Sequence, residues 1–109
     1  MGRIKREGVE ARARQVVLLV AGALELTVDG IMRSGARKDT VGRHLAFYLL
    51  HSVRGLSLGQ IAFAFAADRS TVAGACKHIE DKRDDADFDK WLAALERSAA
   101  AAPIPTGAA

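Results

Sequence analysis

The chain has 109 residues, half of them hydrophobic, with a net charge of +3 and a single cysteine. That length fits about one domain, with enough apolar content to fold without a staple. A lone Cys76 excludes an intrachain disulfide, and the longest apolar run, Val16 to Leu24, is far short of the ~20 residues that span a bilayer.

Arg3, Lys5 and Arg6 give the chain a basic start, but Glu7, Glu10, Arg12 and Arg14 interrupt it before the apolar run. No cleavage-type ending follows that run, so no signal peptide is expected and the chain should stay in the cytoplasm. Charge is spread unevenly. Residues 1 to 38 carry a net +4 and residues 81 to 109 a net −2, which orients the molecule in the field of a polyanion.

In chain order, residues 1 to 9 read as a basic N-terminal arm. Glu10 to Leu26 then places Ala13, Val16, Val17, Val20 and Leu24 on one face at helical spacing, and Leu18 and Leu19 widen that face. Thr27 N-caps a short turn of helix through Met32. Arg33 to Thr40 is small, flexible and basic, and reads as a loop. Asp39 or Thr40 caps the next helix, Val41 to Arg54, whose almost all-round apolar surface predicts a central buried position, with Gly55 ending it.

Ser57 opens a further helix with a capping box completed by Gln60, and Ile61, Phe63, Ala64 and Phe65 supply its inner side. Ala66-Ala67 makes a corner. Asp68 or Ser70 caps the following helix, which runs to about Lys82 with Val72, Ala75, Cys76 and Ile79 as an i, i+3, i+4, i+7 core stripe. Cys76 on that stripe is core filler. The carboxylates from Asp81 to Asp89 form a solvated junction before a last helix bearing Phe88, Trp91, Leu92 and Leu95. The main domain spans residues 10 to 98, and residues 99 to 109 are expected to be a disordered Ala/Pro tail. No strand pattern appears, so the fold class is all-α, with five to six helices.

Enzyme readings lack their parts. No glycine-rich stretch ends in Gly-Lys-Ser/Thr, so a P-loop is excluded. His44, His51 and His78 are scattered, and one cysteine cannot complete a zinc site. His44 and His51 lie seven apart on one helix and read as surface or cleft residues. The expectation is a protein with no cofactor, no metal and no catalytic residue.

What remains is a pair of capped helices joined by a tight corner, Ser57 to Glu80. That is the layout of a helix-turn-helix, whose second helix enters the major groove and reads base edges with its first turn. Opposite the core stripe this helix carries Arg69, Ser70, Thr71, Gly74, Lys77 and His78. Arg69 is suited to bidentate pairing with guanine, Thr71 to a thymine methyl, Ser70 to donating or accepting, and Asp68 to a cytosine amino group. Lys77 and His78 suit phosphates, contacts that position without specifying. Arg33, Arg37 and Lys38 on the basic loop suit a minor groove or the backbone. Five cations on phosphate give log K a slope against log salt of about −4 to −5.

At these residues the sequence resembles a known family. Arg43-His44-Leu45-Ala46-Phe47-Tyr48-Leu49-Leu50, Leu56 to Ala62, Phe65, Asp68, Ser70-Thr71-Val72 and Ala75-Cys76-Lys77-His78-Ile79-Glu80 look like the C-terminal DNA-binding domain of the bacterial replication initiator DnaA. The resemblance covers roughly residues 26 to 98. It implies an all-helical, DnaA C-terminal or Trp-repressor-like domain with an arginine-bearing loop in the minor groove and the helix-turn-helix in the major groove. The family's Asp-His-Ser-Thr falls on Asp68, Arg69, Ser70 and Thr71, and its central-helix arginine on Arg43, here assigned to phosphate. The loop arginine falls on Arg33 or Arg37.

Departures fall on the base-reading tip: the corner runs one residue short, its glycine is Ala66, the arginine before Asp68 is missing, and the reading histidine is Arg69. Each altered base contact removes ~1–3 kcal/mol of discrimination. No nucleotide-binding domain is expected before the helices. The expectation is therefore a free-standing DnaA-domain-like regulator of replication initiation or transcription, associated with the nucleoid and lacking ATPase activity. Its expected partner is double-stranded DNA with sites like the DnaA box. The alternative is an interaction module that binds DnaA or a DnaA regulator.

Overall fold

Residues 5–33 and 37–102 are described by the computed structural model, and among them six helices and no strand are found. Helix α1 spans Arg6–Leu24, α2 Val28–Arg33, α3 Arg37–Ser52, α4 Leu58–Phe65, α5 Arg69–Lys82 and α6 Ala86–Ala101. The all-α expectation holds. No helix among the described residues is long and apolar enough to cross a membrane.

Helix α3 is the centre, flanked by α1 and α5 and touched by α2 and α4. Its run Leu45 to Leu50 is buried at every position. No helix with one polar face could do this, so the all-round apolar sequence requires neighbours on several sides. Val16, Val17 and Val20 of α1, Ile61 and Phe65 of α4, and Val72, Ala75, Cys76 and Ile79 of α5 complete the core, as their spacing predicts. Phe47 and Phe65 meet edge to face with centroids 4.8 Å apart.

Several boundaries differ from the sequence reading. Helix α1 starts at Arg6, and Gly8 and Val9 are already buried. Residues 6 to 9 therefore belong to the fold rather than to an arm, because Val9 extends the stripe Ala13–Val16–Val20 by one turn. Residues 1 to 4 lie outside the described residues. Arg33, Arg37 and Lys38 are helical, not loop: Arg33 closes α2 and the other two open α3. Asp39 in the first turn of α3 favours that early start, since a carboxylate suits the positive end of a helix. Asp39 is buried, and a Cβ on Gly30 would come within 2.7 Å of its Oδ1, so α2 and α3 approach closely there. At the other end α6 continues through Ala101 and buries Ala99. The tail is thus shorter than expected, and residues 103 to 109 lie outside the described residues.

Three apolar side chains expected inside face outward: Leu18 is 56% exposed, Phe63 54% and Trp91 39%. The Arg6 guanidinium covers the Phe63 ring at 4.7 Å, and Trp91 tilts against Phe88 at 5.9 Å.

Helix α6 is tied on by Arg83, the residue that ends α5. Its Nε donates to Asp89, and its Nη1 donates to Glu96 Oε1 at 3.0 Å and to Tyr48 Oη of α3 at 2.9 Å. These partners, Asp89 foremost, lift the Arg83 pKa above its ordinary value. Part of the acidic junction is therefore a structural clasp rather than solvated surface. Asp85 starts α6, its side chain accepting from the Phe88 N–H.

Candidate nucleic-acid interface

The helix-turn-helix has three joints, and local signals set the first two. Ser57 Oγ accepts from the Gln60 N–H at 3.1 Å, and Gln60 Oε1 accepts from the Ser57 N–H at 2.8 Å. This is the capping box read from the sequence, and it satisfies one donor at each residue. Helix α4 ends when Ala66 takes a left-handed conformation (φ 51°, ψ 45°), and the Ala67 N–H reaches back to the Ala62 carbonyl at 2.8 Å. Such an ending normally uses glycine, so the Ala66 methyl adds strain to the corner. Asp68 then extends the chain (φ −87°, ψ 149°) and stands at the N-cap of α5. Its side chain makes no capping hydrogen bond.

From there α5 divides cleanly. Val72, Ala75, Cys76 and Ile79 are buried, whereas Asp68, Arg69, Ser70, Thr71, Gly74, Lys77 and His78 are exposed. The Arg69 side chain lies beside α4, where a Cβ on Gly59 would stand 3.8 Å from its Cδ. Lys77 pairs with Asp81 one turn on, at 3.7 Å, with both side chains largely in solvent. Such a pair contributes at most about 1 kcal/mol and yields readily to a stronger anion. Burial, with help from Glu80, pushes the Cys76 thiol up to about 11, in keeping with a structural role.

The basic segment divides too. Arg33 is exposed and bridges to Asp29 at 2.7 Å, and Arg37 and Lys38 are exposed on the first turn of α3. Arg43, expected on phosphate, is instead engaged within the fold. Its Nη1 donates to the carbonyls of Ile31 (3.0 Å) and Met32, and its Nη2 donates to the carbonyl of Phe65 at 3.1 Å. Its guanidinium also lies 5.3 Å from the Phe47 ring centroid and 5.4 Å from that of Phe65. Burial lowers its pKa. The reason is positional: Arg43 faces the ends of α2 and α4, where terminal carbonyls lack helical partners. It joins the root of the basic segment to the corner of the helix-turn-helix.

Sequence reasoning also missed a histidine pairing. His44 faces not His51 but His78 of α5, ring centroids 5.7 Å apart. His51 Nδ1 donates to the Leu56 carbonyl at 2.9 Å. Spacing along one helix carries no signal for the first contact, because it depends on how α3 and α5 pack. Among the described residues no group of three or more His, Cys, Asp or Glu side chains is placed to hold a metal. A groove between α1, α2 and α4 is lined by Ala13, Leu18, Val28, Met32 and Ala64, with Glu10 and Arg14 beside them.

No protein-family model matches the chain. It is 37% identical over 79 residues to the chromosomal replication initiator protein DnaA of Bifidobacterium animalis subsp. lactis (strain AD011), a stretch that is 71% of this chain and 14% of that protein. Its fold matches the crystal structure of a DNA replication initiation factor with a TM-score of 0.77 and 27% identity, covering 85% of this chain and 29% of the other. It also matches a replication initiator DnaA bound to AMPPCP and single-stranded DNA, with a TM-score of 0.76 and 28% identity, covering 84% and 28%. The chain thus spans a minor part of each relative's length. Over those stretches the chain is similar, in sequence and in fold, to part of the replication initiator DnaA.

Proposed function

We propose that the chain binds double-stranded DNA, with α5 in the major groove and the basic ends of α2 and α3 on the backbone or in the minor groove. The observation that carries this reading is the first turn of α5. Asp68, Arg69, Ser70 and Thr71 are all exposed at the tip of a helix-turn-helix whose other face is locked into the core. Arg69, Ser70 and Thr71 would read bases; Lys77, His78, Arg33, Arg37 and Lys38 would hold phosphates or the minor groove. The similarity to DnaA supports a role at sites near a replication origin or at promoters, in the cytoplasm on the nucleoid. There the protein would act as a regulator by occupancy rather than as an ATPase or any other enzyme.

Gel shifts on random and DnaA-box duplexes at ~50 mM salt test this, since a few phosphate contacts suffice for binding there. Binding is expected on both, tighter on any site Arg69 reads. Arg69→Ala should cost about 1–3 kcal/mol on such a site, and Lys77→Ala should weaken all duplexes evenly and reduce the salt slope by about 1. No shift of either duplex would overturn the reading.

A second reading, docking on DnaA or one of its regulators, is favoured by the groove between α1, α2 and α4 and the exposed Leu18 at its side. An Arg69→Ala, Lys77→Ala double variant separates the two. Activity in cells is lost if DNA is the partner and kept if a protein is.

A further inference from the structure

His44 of α3 and His78 of α5 meet edge to face, with centroids 5.7 Å apart and planes at 77°. His78 stands on the exposed face of α5, beside Lys77 and one turn before Lys82; His44 is half-buried and next in sequence to Arg43. The groups acting on the His44 charge are all cationic or become so on protonation: His78 and Lys82 from α5, and Arg43 from α3 itself. No described group of α1, α2 or α4 acts on it. On the same helix Glu80 and Asp81 follow His78 by two and three residues, and Asp81 pairs with Lys77 at 3.7 Å. The groups that act on His44 are thus cations and an imidazole, an arrangement that an approaching anion would complete.

We propose that His44 and His78, with Lys82, form a proton-coupled phosphate contact, so that DNA binding takes up protons at this pair and weakens as pH rises through neutrality. This rests on the DNA-binding reading. It adds a contact from α3 that the helix-turn-helix does not require, and a pH response that lysines and arginines cannot supply. Burial first, then the three cationic neighbours, holds His44 below its ordinary 6.5 in the free protein. A phosphate favours the charged imidazole and raises that value in the complex. The affinity gain is then fully present below the free-protein value and is lost as pH rises through the bound value.

The test is fluorescence anisotropy with a labelled duplex of about 20 base pairs at fixed moderate salt, from pH about 6 to about 8. Wild type should bind roughly five- to tenfold more tightly at the acid end. His78→Gln, at an exposed position, should lose most of this response, and His44→Gln, His78→Gln should hold affinity constant within about twofold. His51→Gln should respond as wild type. In the complex, the NMR titration midpoint of His44 should lie above that of the free protein. Duplex binding by the double variant with an undiminished pH response would overturn the proton coupling alone. Absence of duplex binding by wild type at every pH would overturn the DNA reading and this proposal with it.

Discussion

The Nη2 of Arg43 donates to the backbone carbonyl of Phe65 at 3.1 Å, across 22 residues of sequence, while Nη1 holds the carbonyls of Ile31 and Met32. One guanidinium thus closes the ends of α2 and α4 together. Arginine suits this because its planar fork presents several donors in fixed directions, whereas lysine offers one compact ammonium. Arg43→Met should leave three carbonyls without their donor and cost about 2–4 kcal/mol. Arg43→Lys should recover only part. Urea unfolding followed by circular dichroism measures both, and an unchanged midpoint for Arg43→Met would show that water replaces the clasp without loss.

The corner at Ala66 has a backbone that suits glycine, with φ at 51°. Ala66→Gly should stabilise the domain by about 1 kcal/mol, the left-handed penalty of an L-residue less the greater entropy glycine loses on folding. Gly55 offers the reverse case. Its φ is +72° and a Cβ there would meet nothing within 4 Å, so Gly55→Ala should cost about 1 kcal/mol through the backbone alone. Equal stability of the wild type and both variants by chemical denaturation would contradict this.

Cys76 links stability to alkaline pH. Its thiol is raised from an ordinary 9.0 to about 11 by burial and by Glu80. A raised value means that the unfolded chain gives up the proton first. The contribution is complete below 9.0 and disappears as pH climbs through about 11. The urea midpoint of the wild type should therefore fall more steeply over that window than that of Cys76→Ala. At pH near 8 a thiol reagent should modify the native protein far more slowly than the unfolded one.

Arg83 should matter more than a surface cation, because it bonds Tyr48 of α3 and Asp89 and Glu96 of α6 at once. Both Arg83 and Glu96 keep 24% side-chain exposure, so solvent screens part of the interaction. Arg83→Met is expected to cost about 1–2 kcal/mol on that account. The loss should be local: amide hydrogen exchange should accelerate in α6 first while α3 and α5 stay protected. A uniform change across all helices would place the clasp in the global core instead.

Much of this architecture was legible in the residue order. The capping box at Ser57, the Thr27 cap, whose Oγ1 accepts from the Gly30 N–H at 3.0 Å, and the inner stripe of α5 are contacts within one or two turns. Such contacts depend on spacing along one helix and nothing else. Periodicity failed where a helix meets its neighbours on an unexpected side. Leu18, Phe63 and Trp91 sit among apolar residues in sequence yet face solvent, because each lies off the stripe its own helix buries.

The same division holds for the feature most tied to function. The two helices from Ser57 to Glu80, the capping box that opens the first of them, and the polar residues on the outer face of α5 were determined by the sequence alone, since capping and periodicity are local. Tertiary structure decided which cations stay available. It turned Arg43 onto the carbonyls of Ile31, Met32 and Phe65, drew Arg83 into the α6 clasp, and set His44 against His78. Those choices depend on where unsatisfied carbonyls and carboxylates from distant segments come to lie, and only the packing of α3 against its neighbours brings them within reach.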